Sequence, residues 1–589
     1  MSDLGSAAPP LLGFNYHPSS GGCRYWTRFR ADEIRADFEA MGAEGWNVVR
    51  FFVFWADFEP EVGRYNEEAF AHLGQMASMA ASAGLRCIPS ILTLWMNGQL
   101  LDLPWRGGRD LIADPEVRTR ARELARRVAA TLGPVGNVAY YDLGDELPNV
   151  LPARRAEPDA VRAWYAEMAD AIRSADPGAL VIQANEAAVL DAAPAFGPPT
   201  QQGVLDAVAL HGFPLWSRLG ITGADVYAAS VYPAFLAAVA SAFGPALVDE
   251  FGTYGMMADA AARHVGAAAA SVLARGVQGL VSWCWKDITS DEWPYIRRPG
   301  ERDAGFRTAD GVAKPAYAAL RHAIQSAAAP SFHAASPQVG IALGADGRLA
   351  SAPASLFGCY LALLASHHRP AFFTGLAHLD PERFPFVAWP GVRSLHLDEL
   401  EALEAYAAAG GVALVSSRAP APGTGGEGLF GLDVDGFGTD PDARPIIELP
   451  GGTVHLGPVP EDALPYPIVR VDTAEVLGRF EAGDPAVTVK RHGDGCLYFV
   501  NAPCEATAPV GAIGAPAPAE LYRQLLAYAG FDSGIRAPAG VEVIVGCDGS
   551  AVAINHFPKP VAGELSFLST SLHVSLEAKE VARVGGAVP

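Results

Sequence analysis

The sequence predicts a (β/α)8 barrel followed by a smaller α/β unit and a small C-terminal all-β piece. Short apolar runs alternate with Ala-rich amphipathic stretches, and eight such runs fall within about 330 residues, the usual span of a (β/α)8 barrel. A Ser/Ala/Pro stretch at 326–337 then reads as a linker. Beyond it the pattern changes to a shorter α/β alternation and finally to strands alone. A doubly wound open sheet shares the first alternation and is the competing architecture.

The elements follow in order. Leu11–His17 reads as a strand and Ala31–Met41 as a helix. Trp46–Trp55 is a dense Val/Phe run, the mark of a strand buried on both faces. Glu67–Ala83 is helical, Leu85–Leu92 extended, and Val117–Leu132 a long helix. Val138–Leu143, Ala179–Ala184, Ala207–His211, Ala246–Val248 and Leu280–Trp285 complete the strands, with helical stretches over Ala160–Ser174, 226–242 and 258–274. The expected domains are a catalytic barrel over 1–327, an α/β unit over 338–535 and a small β unit over 540–589. No fixed-period repeat is present.

Bulk properties exclude several classes. The chain has 589 residues, too many for one hydrophobic core. Half of it is hydrophobic and 18% charged, which argues against long disorder. The net charge of -22 offers no basic face for nucleic acid. The seven cysteines (Cys23, Cys87, Cys284, Cys359, Cys496, Cys504 and Cys547) are odd in number and form no CxxC pair. Reduced thiols in a cytoplasm are therefore expected, without a disulfide framework or structural zinc. No basic-then-apolar leader opens the sequence, and no run is long enough to span a membrane.

Barrel enzymes carry their chemistry at the C-terminal ends of the strands. The fourth strand runs into Gly144-Asp145-Glu146, and the seventh into Asp249-Glu250-Phe251-Gly252. Two carboxylates facing one another across a barrel mouth are what glycoside hydrolysis needs, one to protonate the leaving oxygen and one to attack carbon 1 or activate water. Either glutamate alone is equally well a helix-terminal charge or an ion-pair partner.

Five motifs, in the right order on the right strands, resemble clan A glycoside hydrolases, including family 5 and the family 42 β-galactosidases. They are Trp55…Glu59-Pro60…Gly63-Arg64-Tyr65, Gly144-Asp145-Glu146, Asp249-Glu250-Phe251-Gly252, Ser282-Trp283-Cys284-Trp285, and Gly305-Phe306 followed by Asp310-Gly311…Lys314-Pro315-Ala316-Tyr317. The likeness covers about residues 11–325. It implies a retaining β-glycosidase acting on a β-galactoside, β-mannoside or related, 2-modified sugar, with Glu250 as ionised nucleophile and Glu146 as protonated acid/base. It implies no cofactor and no metal. Arg50 matches an arginine that steadies the nucleophile, and His211 matches the histidine of a sixth-strand His-x-Tyr whose tyrosine is here Phe213. Trp283, Trp55 and Trp95 are the expected sugar-facing aromatics, Trp285 pointing instead to the helices.

Asp145 departs from the pattern. Most relatives carry asparagine, which donates a hydrogen bond to the sugar 2-hydroxyl, whereas an ionised aspartate only accepts. An axial 2-hydroxyl, a cationic 2-amino group, or a salt bridge to a neighbouring arginine would each suit it. The α/β unit is similar in order to a glutamine-amidotransferase-like domain, which family 42 enzymes use to trimerise. Cys359 lies in the apolar run Leu356–Tyr360 and reads as packing, which leaves an inactive domain that serves homo-oligomerisation. Two other readings compete: a non-catalytic carbohydrate-binding or scaffold barrel, and a metal-dependent barrel hydrolase. The latter needs His-x-His after the first strand, which ends instead in Asn15-Tyr16-His17-Pro18.

Overall fold

A computed structural model describes residues 9–150, 156–221, 223–329, 332, 339–344, 351–417, 427–438, 446–457, 466–507 and 518–585. It divides into two compact units, residues 1–217 with 243–325, and residues 218–242 with 326–589.

The first unit is a (β/α)8 barrel. Its strands are β1 (Leu11–Asn15), β2 (Val48–Phe54), β3 (Arg86–Thr93), β4 (Tyr141–Asp142), β5 (Val181–Ile182, continued after Gln183 by Ala184–Asn185), β6 (Val208–His211), β7 (Ala246–Glu250) and β8 (Gly279–Ser282). Each pairs in parallel with its neighbours. β8 returns to β1, so the open doubly wound alternative is excluded. Parallel strands need long crossovers, supplied here by α1 (Ala31–Ala43), α2 (Glu67–Ser82), α3 (Pro115–Leu132), α4 (Pro158–Ala175) and others. Asp114 caps α3 through the amides of Glu116 and Val117, with proline at the first helical position.

Side-chain alternation sorts the barrel interior into layers. Leu11, Val48, Ile88, Ile182, Ala209, Leu247 and Val281 form an apolar floor. Two residues further along the same strands stand Gly13, Arg50, Ser90, His211, Asp249 and Trp283. The floor is a cluster of buried apolar side chains, and the polar layer rests directly on it. Phe14 points outward, ringed by Trp46, Trp285, Phe306 and Tyr317 at 4.8–6.2 Å.

The helix after β6, α5 (Tyr227–Ser241), departs from the expected domain boundary because it falls in the second unit. It is apolar all round, and every residue but Ser241 is buried. An amphipathic barrel helix would keep one polar face. Phe235 packs on Phe357, Tyr360 and Phe372. Ser230 Oγ bonds His556 Nδ1 at 2.8 Å, and the Lys579 ammonium reaches Ser230 Oγ and the carbonyls of Val226 and His556.

The rest of the second unit contains a nine-stranded mixed sheet. A parallel core includes Val339–Ala342, Phe386–Val392, Val412–Ser417 and Gly495–Val500. Antiparallel ribbons extend it, and an antiparallel sheet and hairpin cover Val541–Val584. Cys359 is buried and burial pushes its thiol well above the usual range, as expected for packing. Among the described residues no helix is long and apolar enough to cross a membrane.

Gly13 tests the layering. A Cβ there would lie 1.8 Å from the Val48 carbonyl oxygen, inside the β1–β2 pairing. Gly13→Ala should destabilise the barrel by about 3 kcal/mol or more, the upper range for overpacking, read as a lower midpoint in urea. An unchanged midpoint would mean that β1 does not approach β2 this closely.

Candidate active site

Arg50 is wholly buried at the centre of the polar layer. Its Nη1 donates to Glu250 Oε1 at 2.7 Å and Asn15 Oδ1 at 2.8 Å. Its Nη2 donates to Asp142 Oδ2 at 2.8 Å and Asp145 Oδ1 at 2.7 Å. Asp249 Oδ2 lies 3.8 Å from Nε. A planar fork with five donors can hold this many partners, where a lysine ammonium cannot. Phe52 closes one face of the guanidinium, its ring centroid 4.7 Å from Cζ.

His211 is the second cation. Its Nδ1 stands 3.0 Å from Glu146 Oε1 and 3.5 Å from Glu250 Oε2, while Nε2 lies 3.7 Å from Asp249 and 3.9 Å from Asp145. Burial opposes its charge, but Glu250 and Asp249 prevail and raise its pKa well above the usual value. The imidazole confines Glu146 Oε1 and Glu250 Oε2 to within about 6.5 Å of each other, compatible with the close carboxyl pair of a retaining glycosidase and at the lower edge for an inverting one.

Local backbone sets these positions. β7 shifts register between Leu247 and Glu250, which breaks strict alternation and brings both Asp249 and Glu250 to the Arg50–His211 cluster. Glu146 sits in the left-handed region at φ 44°, with Asn149 Nδ2 donating to its Oε2 at 3.0 Å. Asp142 ties β4 to β5, since its Oδ1 accepts from the amides of Gly144 and Ala184.

Five carboxylates thus face two cations. Burial, and then repulsion from its neighbours, pushes Glu250 well above the usual carboxylate range despite His211 and Arg50. Asp145 is pushed up to about 6, burial outweighing the pull of Arg50 and His211. Asp249 moves the other way, because His211 and Arg50 together overcome its burial. Asp145 and Glu250 thus both shift upward while Asp249 shifts downward. The upward shifts reflect the excess of buried negative charge.

The remaining expected residues divide. Trp283 ends β8, nearly buried, edge-on to His17 and Phe52 at 5.6 and 5.8 Å. Trp285 packs outward on Phe14 and donates its indole N–H to Asp37. Trp95 is half-buried in a hairpin with Gln99–Leu100. Trp55 corrects the expectation of a sugar-facing ring: it is wholly buried, its indole N–H bonded to Glu59 at 2.9 Å. A helical turn, Trp55–Phe58, begins at once after β2 and takes the ring away from the strand's alternation.

Asn15, Asp142, Asp249, His17 and Glu301 were not singled out from sequence. Asn15 and His17 lie at a strand end, the signal that could have found them. His17 is stacked on Phe52 at 4.9 Å, and burial lowers its pKa to about 3, so it is neutral. Burial pushes Glu301 up to about 7 beside Tyr254 and Arg298, within the influence of Glu146. Asp145, His211 and Glu250 offer ligand atoms within 4.8 Å of one another. Two of these three already share the Arg50 guanidinium, a fixed cation at 2.7 Å from each, so the donor set suits an ion-paired cluster better than a metal.

No family model matches the chain. It is 26% identical over 231 residues to a putative mannan endo-1,4-β-mannosidase 5 of Oryza sativa subsp. japonica, covering 35% of the chain, and it spans 45% of that relative's length. The exo-β-1,4-mannosidase Op5Man5 from Opitutaceae bacterium strain TAV5 is 25% identical with a TM-score of 0.76, over 86% of this chain and 94% of that one. The chain is similar to clan A glycoside hydrolases. Two further structures share the fold: a GH5_18 protein from Streptomyces cattleya (24% identity, TM-score 0.57, 64% of this chain and 95% of that one) and the GH42 β-galactosidase Gan42B from G. stearothermophilus (14%, 0.71, 98% of each).

The upward shifts of Asp145 and Glu250 have a consequence for stability whose sign can be measured. Both carboxyls have folded-state pKa values above their unfolded ones. Their contribution to stability is complete below the unfolded pKa, near 4, and is lost as pH rises through the folded value, about 6 for Asp145. Wild-type Tm should fall across that window, and Asp145→Asn should flatten the fall. Calorimetry from about pH 4 to 8 decides it; an equal slope in both proteins would assign the titration to another group.

Proposed function

We infer that the barrel is a retaining β-glycoside hydrolase acting on the non-reducing end of β-mannosides. The observation that carries this reading is the pair Glu146 and Glu250, held close through His211 at the C-terminal end of a parallel barrel. A solved structure 25% identical to this chain, over 86% of its length, is named an exo-β-1,4-mannosidase.

In this mechanism Glu250 attacks carbon 1 while Glu146 gives its proton to the departing glycosidic oxygen. The carbon–oxygen bond breaks and a glycosyl ester forms on Glu250. Glu146, now a carboxylate, takes a proton from water, and the water oxygen displaces Glu250 to release the sugar. Glu250 attacks as its carboxylate, which Arg50 Nη1 at 2.7 Å stabilises. Glycosylation removes a negative charge beside Glu146, which favours its carboxylate form in its second role as base. The α/β part of the second unit is read as a non-catalytic, glutamine-amidotransferase-like module that serves homo-oligomerisation, in a cytoplasmic enzyme whose thiols stay reduced. Light scattering at micromolar concentration tests the assembly.

Glu250→Gln should lower kcat/KM for an aryl β-mannoside on the order of 10⁴-fold or more, and a 2-fluoro mannosyl fluoride should label Glu250. Label on another residue, or inverted product by NMR, refutes the assignment.

Glu146→Ala should impair alkyl mannosides about 10²-fold more than dinitrophenyl mannosides, because an activated leaving group needs little protonation. Azide should restore the second step and give a β-mannosyl azide. Equal impairment on both substrates, without rescue, would remove Glu146 from this role.

A further inference from the structure

Asp145 is held by one oxygen only. Its Oδ1 accepts from Arg50 at 2.7 Å, and its Oδ2 accepts no hydrogen bond from any described residue. The carboxylate lies with His211 and Glu250 in a group whose ligand atoms are all within 4.8 Å of one another. A sugar in position for attack has carbon 1 about 3 Å from a Glu250 oxygen, so its carbon 2 substituent falls within reach of Asp145.

The charge there is unbalanced. Asp142, Asp145, Glu146, Asp249 and Glu250 surround Arg50 and His211. Both Asp249 oxygens and His211 Nε2 are buried and make no hydrogen bond. A 2-hydroxyl can donate one hydrogen bond to Asp145 but leaves the negative charge unchanged. A 2-ammonium brings one positive charge and three N–H donors.

We propose that Asp145 is a specificity-determining residue that selects a cationic amino group at carbon 2, making 2-amino-2-deoxy-β-glycosides the preferred substrate class of this site. The proposal rests on the glycosidase reading above. An ammonium at carbon 2 normally opposes the positive charge that develops at carbon 1 in the transition state. A carboxylate in contact with that ammonium offsets the opposition, and the gain is greatest where water is excluded. Arg50 fixes the carboxylate before substrate arrives, so little rearrangement is needed. An N-acetylated 2-amino sugar has no such charge and is not preferred.

The experiment compares kcat/KM for 4-nitrophenyl β-glycosides bearing 2-hydroxyl, 2-amino and 2-acetamido groups, in manno and gluco configurations, in wild type and Asp145→Asn. Wild type should favour the 2-amino substrate over its 2-hydroxyl counterpart by about 10-fold or more. Asp145→Asn should lower the ratio of kcat/KM for the 2-amino substrate to that for its 2-hydroxyl counterpart on the order of 10- to 100-fold, the size of one charge-assisted hydrogen bond, whatever the change on the 2-hydroxyl substrate alone. A wild-type preference for the 2-hydroxyl substrate, or a ratio that Asp145→Asn leaves unmoved, overturns the proposal and leaves the glycosidase reading intact. No turnover of any of the substrates by wild type overturns the reading itself. Should Asp145→Asn fail to fold, the wild-type pH profile decides: the preference for the amine over the hydroxyl must decline as the ammonium loses its proton, and a flat ratio overturns the proposal.

Discussion

A single buried guanidinium holds the catalytic end of the barrel together. Arg50 reaches carboxylates on β4, β7 and the loop after β4, and the Asn15 amide on β1, so four side chains from three different strand ends meet on one planar group. Each of these carboxylates buried alone would cost several kcal/mol or would keep its proton. Together they keep only part of their protons, because Arg50 and His211 supply two positive charges in the same layer. The apolar floor beneath makes those charges strong, since it admits no water to screen them.

The layer is ordered by the alternation of parallel strands and by its local exceptions. Val48 to Arg50 and Ala209 to His211 are regular steps of two from floor to polar layer. The register shift on β7 is an irregular step, which brings two successive acids to the same pair of cations. The left-handed Glu146 is another exception: a residue of this type in that conformation is held there by its surroundings, here the β5 carbonyl of Ala184 and the Asn149 amide.

The regular steps and the two motif glutamates were legible in the sequence, and the local irregularities that orient those glutamates were not. Glu146, Glu250, Arg50 and His211 stand at strand ends, where position alone marks them, and the structure brings all four together. Asp249 follows the regular step of two from Leu247, and the register shift brings Glu250 to the same cations. Asp142 carries no motif, and its tie to the Ala184 amide depends on where β5 lies in space. Trp55 was misread because its motif says nothing of the helical turn that begins with it. The placement of α5 failed for a different reason: a helix apolar on every side carries no stripe to say which neighbour it serves. For Asp145, the alternatives of substrate contact and internal salt bridge turn out not to compete, since one oxygen meets Arg50 and the other meets no described donor.

That division of one carboxylate between two tasks follows from the charge count. Were Asp145 an asparagine, Arg50 would face one negative charge fewer, and Glu250 would lose a repulsive neighbour that now helps to raise its pKa. The nucleophile would ionise more readily and need less help from substrate. With aspartate in place, the empty site is held back by its own excess of negative charge, and a ligand that brings positive charge relieves it. The oxocarbenium-like transition state is such a species, because positive charge develops at carbon 1 beside Glu250. The cluster therefore gains more from the transition state than from a neutral ground-state sugar, and interactions that strengthen in this way are the ones that raise the rate. Formation of the glycosyl ester then removes the Glu250 charge, leaving Arg50 with its aspartate partners while His211 remains 3.0 Å from Glu146.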